Sequence, residues 1–121
     1  MTKSSLVKLH IDPPDKFDGK NNFDNFAKKL RNYLALSDPS LPDLLEGAQQ
    51  ATLPITNESF VRIDTNNEED PGETRKKAAL IYYVLAGLAT GSAYIIFDSI
   101  NDNNGLEAFR RLHARYGRSK A

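Results

Sequence analysis

The 121-residue chain carries 16 basic and 16 acidic residues, is 40% hydrophobic and 26% charged, and contains no cysteine. That balance is ordinary for one folded domain with a modest core. It removes disulfide frameworks, thiolate zinc sites and zinc knuckles, and with them bulk attraction to nucleic acid or anionic lipid. The first residues lack the apolar core of a signal peptide and the longest apolar stretch is too interrupted to span a bilayer, so an intracellular, cytoplasmic protein without a membrane partner is expected.

Residues 1–16 read as an extended amino-terminal arm. Met1 to Ser5 is a polar end, and Leu6 to Ile11 alternates as a short strand or docked arm, with Leu6, Lys8 and His10 on one side and Val7, Leu9 and Ile11 on the other. Pro13 and Pro14 forbid helix and Asp18-Gly19 is a turn signal. Phe17 between them reads as an anchor, buried against Phe26, Leu30 and the central helix.

Residues 17–118 read as a helical lobe. With Asn21 or Asn22 as cap, Phe23, Phe26, Ala27, Leu30, Tyr33 and Leu34 form one apolar stripe at helical spacing. Lys28, Lys29 and Arg31 take the opposite side, as a solvated face or a contact surface. Pro39 and Pro42 stop this helix, and Leu41, Leu44, Leu45 and Ala48 predict a short second one over 42–50, with a small core contribution. Thr52 to Asn67 carries little pattern; Phe60, Val61 and Ile63 fit either a helical turn or an edge segment. TNNEEDPGE, residues 65–73, reads as an acidic loop, with Asp70 capping a helix that starts at Pro71.

The stretch Ala78 to Ile100, AALIYYVLAGLATGSAYIIFDSI, is the densest apolar segment and the expected centre of the fold. It predicts a helix over 71–88, buried on most sides from Ala78 onward, then a tight turn. Small residues Ala78, Ala79, Ala86 and Gly87 are expected to admit close neighbours, and Tyr82 and Tyr83 to reach partners at the core margin. Thr90 is expected to cap a following helix through Asp98, packed by Ala93, Tyr94, Ile96 and Phe97. Asn104 caps a last helix over 105–116, with Ala108, Phe109, Leu112 and Tyr116 inward and Arg111, Arg115 and Arg118 outward. The expectation is an all-α fold, a compact bundle of five or six helices with at most one short strand; residues 119–121 are a tail or the start of a linker to a second lobe.

Charge is unevenly spread. Residues 106–121 set five basic residues against Glu107, a net +4, whereas residues 54–73 set six acids against Arg62, a net −5. These are two solvated surfaces or two halves of a contact between molecules. No catalytic, metal or cofactor constellation is present: His10 and His113 are the only near-neutral bases, and neither has a nucleophile or ligand spacing around it. A solvated or capping role is expected for each.

Three stretches together, PPDKFDGKNNFDNFAKKLRNYL, VLAGLATGSAYIIF and GLEAFRRLHARYG, resemble the Gag polyprotein of long-terminal-repeat retrotransposons, specifically the amino-terminal capsid lobe shared with Arc-like domesticated proteins. The resemblance covers about residues 12–117. It rests on Phe17, Gly19, Phe26, Leu30, Tyr33 and Leu34 early, Leu88, Gly91 and Ala93 at the middle turn, and Phe109, Leu112 and Tyr116 at the end; Phe26 and Phe109 stand where that family often has Trp. It implies a structural protein that self-assembles into virus-like particles, without catalysis, cofactor or metal. Its partners would be other copies of itself, with nucleic acid engaged only through a region absent from this chain. Lys28, Lys29 and Arg31 with Glu68, Glu69 and Asp70 are the candidate assembly surfaces. A domesticated adaptor that binds a short peptide, or a small nucleic-acid module using Arg110, Arg111, Arg115 and Arg118, are the alternatives.

Overall fold

The computed structural model describes residues 12–56, 59 and 71–117. The Leu6–Ile11 strand or arm, the segment around Phe60 and Ile63, the Asp70 cap, the tail, and the acidic candidates Glu68, Glu69 and Asp70 lie outside the described residues. Within them the fold is all-α, a bundle of five helices without a regular strand: α1 Phe23–Ala35, α2 Leu41–Gln50, α3 Pro71–Leu88, α4 Gly91–Ile95 and α5 Gly105–Tyr116.

The two best-formed starts are capped as the sequence predicts. The Asn22 side chain accepts from the Asn25 N–H at the start of α1, and Asn104 accepts from the Glu107 N–H at the start of α5, each satisfying a donor that has no partner inside its helix. Thr90 differs. It holds the cap position of α4 in extended backbone, but its hydroxyl makes no capping bond. The helix expected to reach Asp98 is α only through Ile95 and tightens into a 3₁₀ turn over Ile96–Ser99. That winding turns Phe97 into the core and leaves Tyr94 and Ile95 outside.

α5, not the Ala78–Ile100 stretch, is the hub of the packing: it contacts both α3 and α2, while α2 also contacts α1. Its first turn and a half, Gly105 through Phe109, is buried without interruption. Gly105 makes this possible, because a Cβ there would stand 2.4 Å from the Ala78 carbonyl oxygen and 2.4 Å from the Tyr82 nitrogen, so two helix backbones meet at a point where no side chain fits. Of the small residues expected to admit neighbours, Ala78 does so, whereas Gly87 faces open space.

Two further expectations are corrected. α3 buries a single stripe, Thr74, Ala78, Ile81 and Leu85, and leaves Leu80 and Tyr83 exposed, so its apolar density does not mean burial on most sides. α2 contributes strongly to the core rather than weakly: Leu41, Leu44, Leu45 and Ala48 are all buried, because the helix lies between α1 and α5 and its i, i+3, i+4, i+7 positions face both. The α1–α2 turn is tied to α3 through Asp38, which accepts from the Ser40 N–H (2.9 Å) and hydroxyl (2.8 Å), and through the Lys77 ammonium, which donates to the Ser40 hydroxyl at 2.9 Å.

Candidate functional site

The residues that carry the family resemblance come from three distant parts of the chain, and several of them meet where the arm crosses the α3–α4 turn. Phe17 is 1% exposed and lies in a ring cluster: stacked on Phe26 at 5.2 Å, edge-on to Phe23 at 5.4 Å, and edge-on to Tyr116 at 5.1 Å. Its backbone forms an isolated parallel bridge with Ala89. Gly19 follows at φ +91°, with the Ser92 hydroxyl and the Tyr116 phenol where a Cβ would sit, and Gly91 at φ +57° faces the Asp18 carbonyl. The Ser92 hydroxyl donates to that carbonyl at 3.3 Å and lies 3.3 Å from the Tyr116 hydroxyl. Asp18 closes the turn by accepting from the Lys20 N–H at 2.8 Å, a bond that holds its carboxyl below its ordinary range.

The remaining quoted residues are core or margin positions away from this crossing. Leu30, Leu34, Ala93, Phe109 and Leu112 are buried, and Tyr33 is half-buried further along α1. Leu88 is half-buried and takes part through its carbonyl, which accepts from the Phe17 N–H.

The candidate basic surface divides. Lys28 and Lys29 are exposed, whereas Arg31 is half-buried and donates to the Gln49 side-chain oxygen on α2 at 2.5 Å, with its Nε buried and without a hydrogen-bond partner among the described residues. Helical geometry separates Lys29 from Arg31, since the two positions stand about 160° apart around the axis, whereas Lys28 is about 60° from Arg31 and differs from it by lacking the bond to Gln49.

A second polar junction was not legible. Glu107 is buried on α5 and accepts from the Ile55 N–H at 2.7 Å, from Arg110 through two bonds of 2.8 Å, and from Arg111 at 2.7 Å. Asn104 donates to the Ile55 carbonyl at 2.8 Å, so both backbone groups of Ile55 are taken by side chains at the start of α5. Burial alone would raise the Glu107 carboxyl, but the Arg110 fork, the Ile55 N–H and Arg111 outweigh it and hold the carboxyl below its ordinary value; Arg110 is correspondingly raised. The available signal was a glutamate at the third helical position after an asparagine cap, followed by arginines three and four residues on.

His113 is half-buried with its ring 6.2 Å from Phe23, and His10 lies outside the described residues. Among the described residues no group of three or more His, Cys, Asp or Glu side chains comes together in a metal-ligating arrangement. No described helix is long and apolar enough to cross a membrane. An exposed apolar run does exist: Tyr83 (62% exposed) packs on Tyr82, Tyr82 on Phe97, and Phe97 on Tyr94, with Ile95 (64% exposed) beside Tyr94 in sequence. No protein-family model matches the chain, and neither a curated protein nor a solved structure matches it.

Proposed function

We propose that this chain is a Gag-like capsid lobe, a structural module of long-terminal-repeat retrotransposon type that works by assembling with copies of itself in the cytoplasm and carries out no catalytic step. One observation carries the reading. Phe17 and Gly19 of the first quoted stretch, Leu88 and Gly91 of the second, and Tyr116 of the third are far apart in sequence and converge on one crossing between the arm and the α3–α4 turn. Both glycines have positive φ at that crossing, so two of the residues that carry the resemblance are held there by backbone geometry.

Assembly by tiling requires many weak, repeated contacts, so the isolated chain is monomeric at micromolar concentration and associates reversibly as concentration rises. Sedimentation velocity over a concentration series tests this. A gradual, reversible rise in weight-average sedimentation coefficient is expected; a stable dimer at micromolar concentration, or a strict monomer throughout, would overturn the reading.

A second reading is favoured by the exposed run of Tyr83, Tyr94 and Ile95, which suits an adaptor that binds an apolar peptide. It predicts a strict monomer that binds a specific peptide sequence.

A further inference from the structure

The outer side of α5 and the 3₁₀ turn border a shallow, open groove of about 410 Å³, lined by Ile96, Arg110, Arg111, Ala114 and Arg115. Three arginines line it together with two apolar residues, Ile96 and Ala114. Among the described residues Glu107 is bonded to two of them, Arg110 and Arg111, so the three arginines and this carboxylate carry a net charge of +2. Asp98, exposed in the turn that carries Ile96, does not line the groove.

Glu107 does more than offset charge. Its two oxygens fix Arg110 through Nε and one terminal nitrogen, and fix Arg111 through Nε while the Ser99 hydroxyl accepts from Arg111 at 2.7 Å. Arg115 lies against the Tyr116 ring, its guanidinium carbon 5.6 Å from the ring centre. The arginines are therefore arranged before any partner arrives, which lowers the ordering cost of binding carboxylates. Lys28 and Lys29 are exposed and show no comparable arrangement among the described residues.

Resting on the assembly reading, we propose that this groove receives the acidic segment 64–70 of a second copy of the chain. That segment, DTNNEED, carries Asp64, Glu68, Glu69 and Asp70 with no basic residue, a net −4, and follows Ile63. Its carboxylates complement the net positive charge of the three arginines, and the adjoining Ile63 suits the apolar Ile96 and Ala114. Because groove and segment are different patches, the contact is head-to-tail: each copy offers a groove to one neighbour and a segment to another, so the contact propagates instead of closing at a dimer.

The test follows backbone amide shifts of the ¹⁵N-labelled chain with concentration, at low and high salt. Shifts centred on Ile96, Ala114 and Arg115 are expected at low salt and are lost at high salt. Two variants reverse one side each: Ala114→Glu with Arg115→Glu, which leaves the Glu107 network in place, and Glu68→Lys with Glu69→Lys and Asp70→Lys. Each alone should associate at least about tenfold more weakly, and mixing the two should restore association, because the intact groove of one variant meets the intact segment of the other. If the groove variant unfolds by circular dichroism, the acidic-side variant still carries the loss arm. Failure of the mixture to restore association, unchanged association of the acidic-side variant, or saturable binding of a single-stranded RNA oligonucleotide at these residues in place of a second copy would overturn the proposal. Undiminished association in both variants would refute the groove while leaving the assembly reading intact; absence of any self-association would refute both.

Discussion

Phe17 and Ala89 are joined by a two-bond parallel bridge, where the regular elements among the described residues are all helical: the Phe17 N–H donates to the Leu88 carbonyl at 2.8 Å, and the Thr90 N–H donates to the Phe17 carbonyl at 2.9 Å. The bridge fixes the backbone of the arm, and the ring then enters the aromatic cluster of Phe23, Phe26 and Tyr116. Replacing Phe17 by Ala leaves the backbone bonds possible but empties the cluster, so a loss of about 3–5 kcal/mol in urea denaturation is expected. An unchanged midpoint would remove Phe17 as the anchor.

Three glycines should respond differently to alanine. Gly105→Ala drives a Cβ into the backbone of α3 and should cost at least about 2 kcal/mol. Gly19→Ala pays for positive φ and for crowding against Ser92 and Tyr116, roughly 1–2 kcal/mol. Gly87→Ala meets nothing within 4 Å and should stabilise α3 by about 0.5–1 kcal/mol. Thermal melts of the three rank the sites, and any other order contradicts the packing described.

Much of this was readable beforehand, for identifiable reasons. Asn104 was legible as a cap, Asn22 as one of two adjacent candidates, and Phe17 as an anchor because local sequence decides them: a cap acts three residues away, and a proline pair before a glycine turn leaves one large apolar residue to bury. The burial of Glu107 was not legible, since its partner Ile55 lies 52 residues earlier in a stretch with little pattern. α3 misled because composition counts apolar residues without saying which neighbour covers them; among the described residues Leu80 and Tyr83 stay exposed, Tyr83 accepting a bond from the Asn103 side chain, while the polar Thr74 falls on the inward stripe. Arg31 reads as one of three basic residues and becomes distinct only when α2 brings Gln49 to it.

The carboxyls of Glu107, Asp18 and Asp38 all lie below their ordinary values of 4.5, 3.8 and 3.8. A carboxyl depressed by folding contributes stability that is complete above its unfolded value and is lost as pH falls through its folded value. Stability should therefore be level near neutral pH and decline below about pH 4.5. Glu107→Gln should be less stable than the parent at neutral pH, and the gap should narrow as acid protonates the parent. A gap independent of pH in urea titrations would show that the charge of Glu107 contributes nothing.

The division of the basic surface has its own consequence for stability. Arg31→Ala should cost about 1 kcal/mol, because the side chain packs between α1 and α2 and bonds Gln49. Lys28→Ala and Lys29→Ala should each stay within about 0.5 kcal/mol. Equal losses at all three positions in denaturant titrations would contradict the placement of Arg31.

The claim that the chain is an assembly module is tested most directly by electron microscopy of the protein expressed from the whole reading frame that encodes it. Closed or tubular particles of regular size are predicted, forming at low salt and weakening as salt screens the charged contacts. A dispersed, particle-free preparation at every salt concentration, from protein that is folded by circular dichroism, would contradict the account.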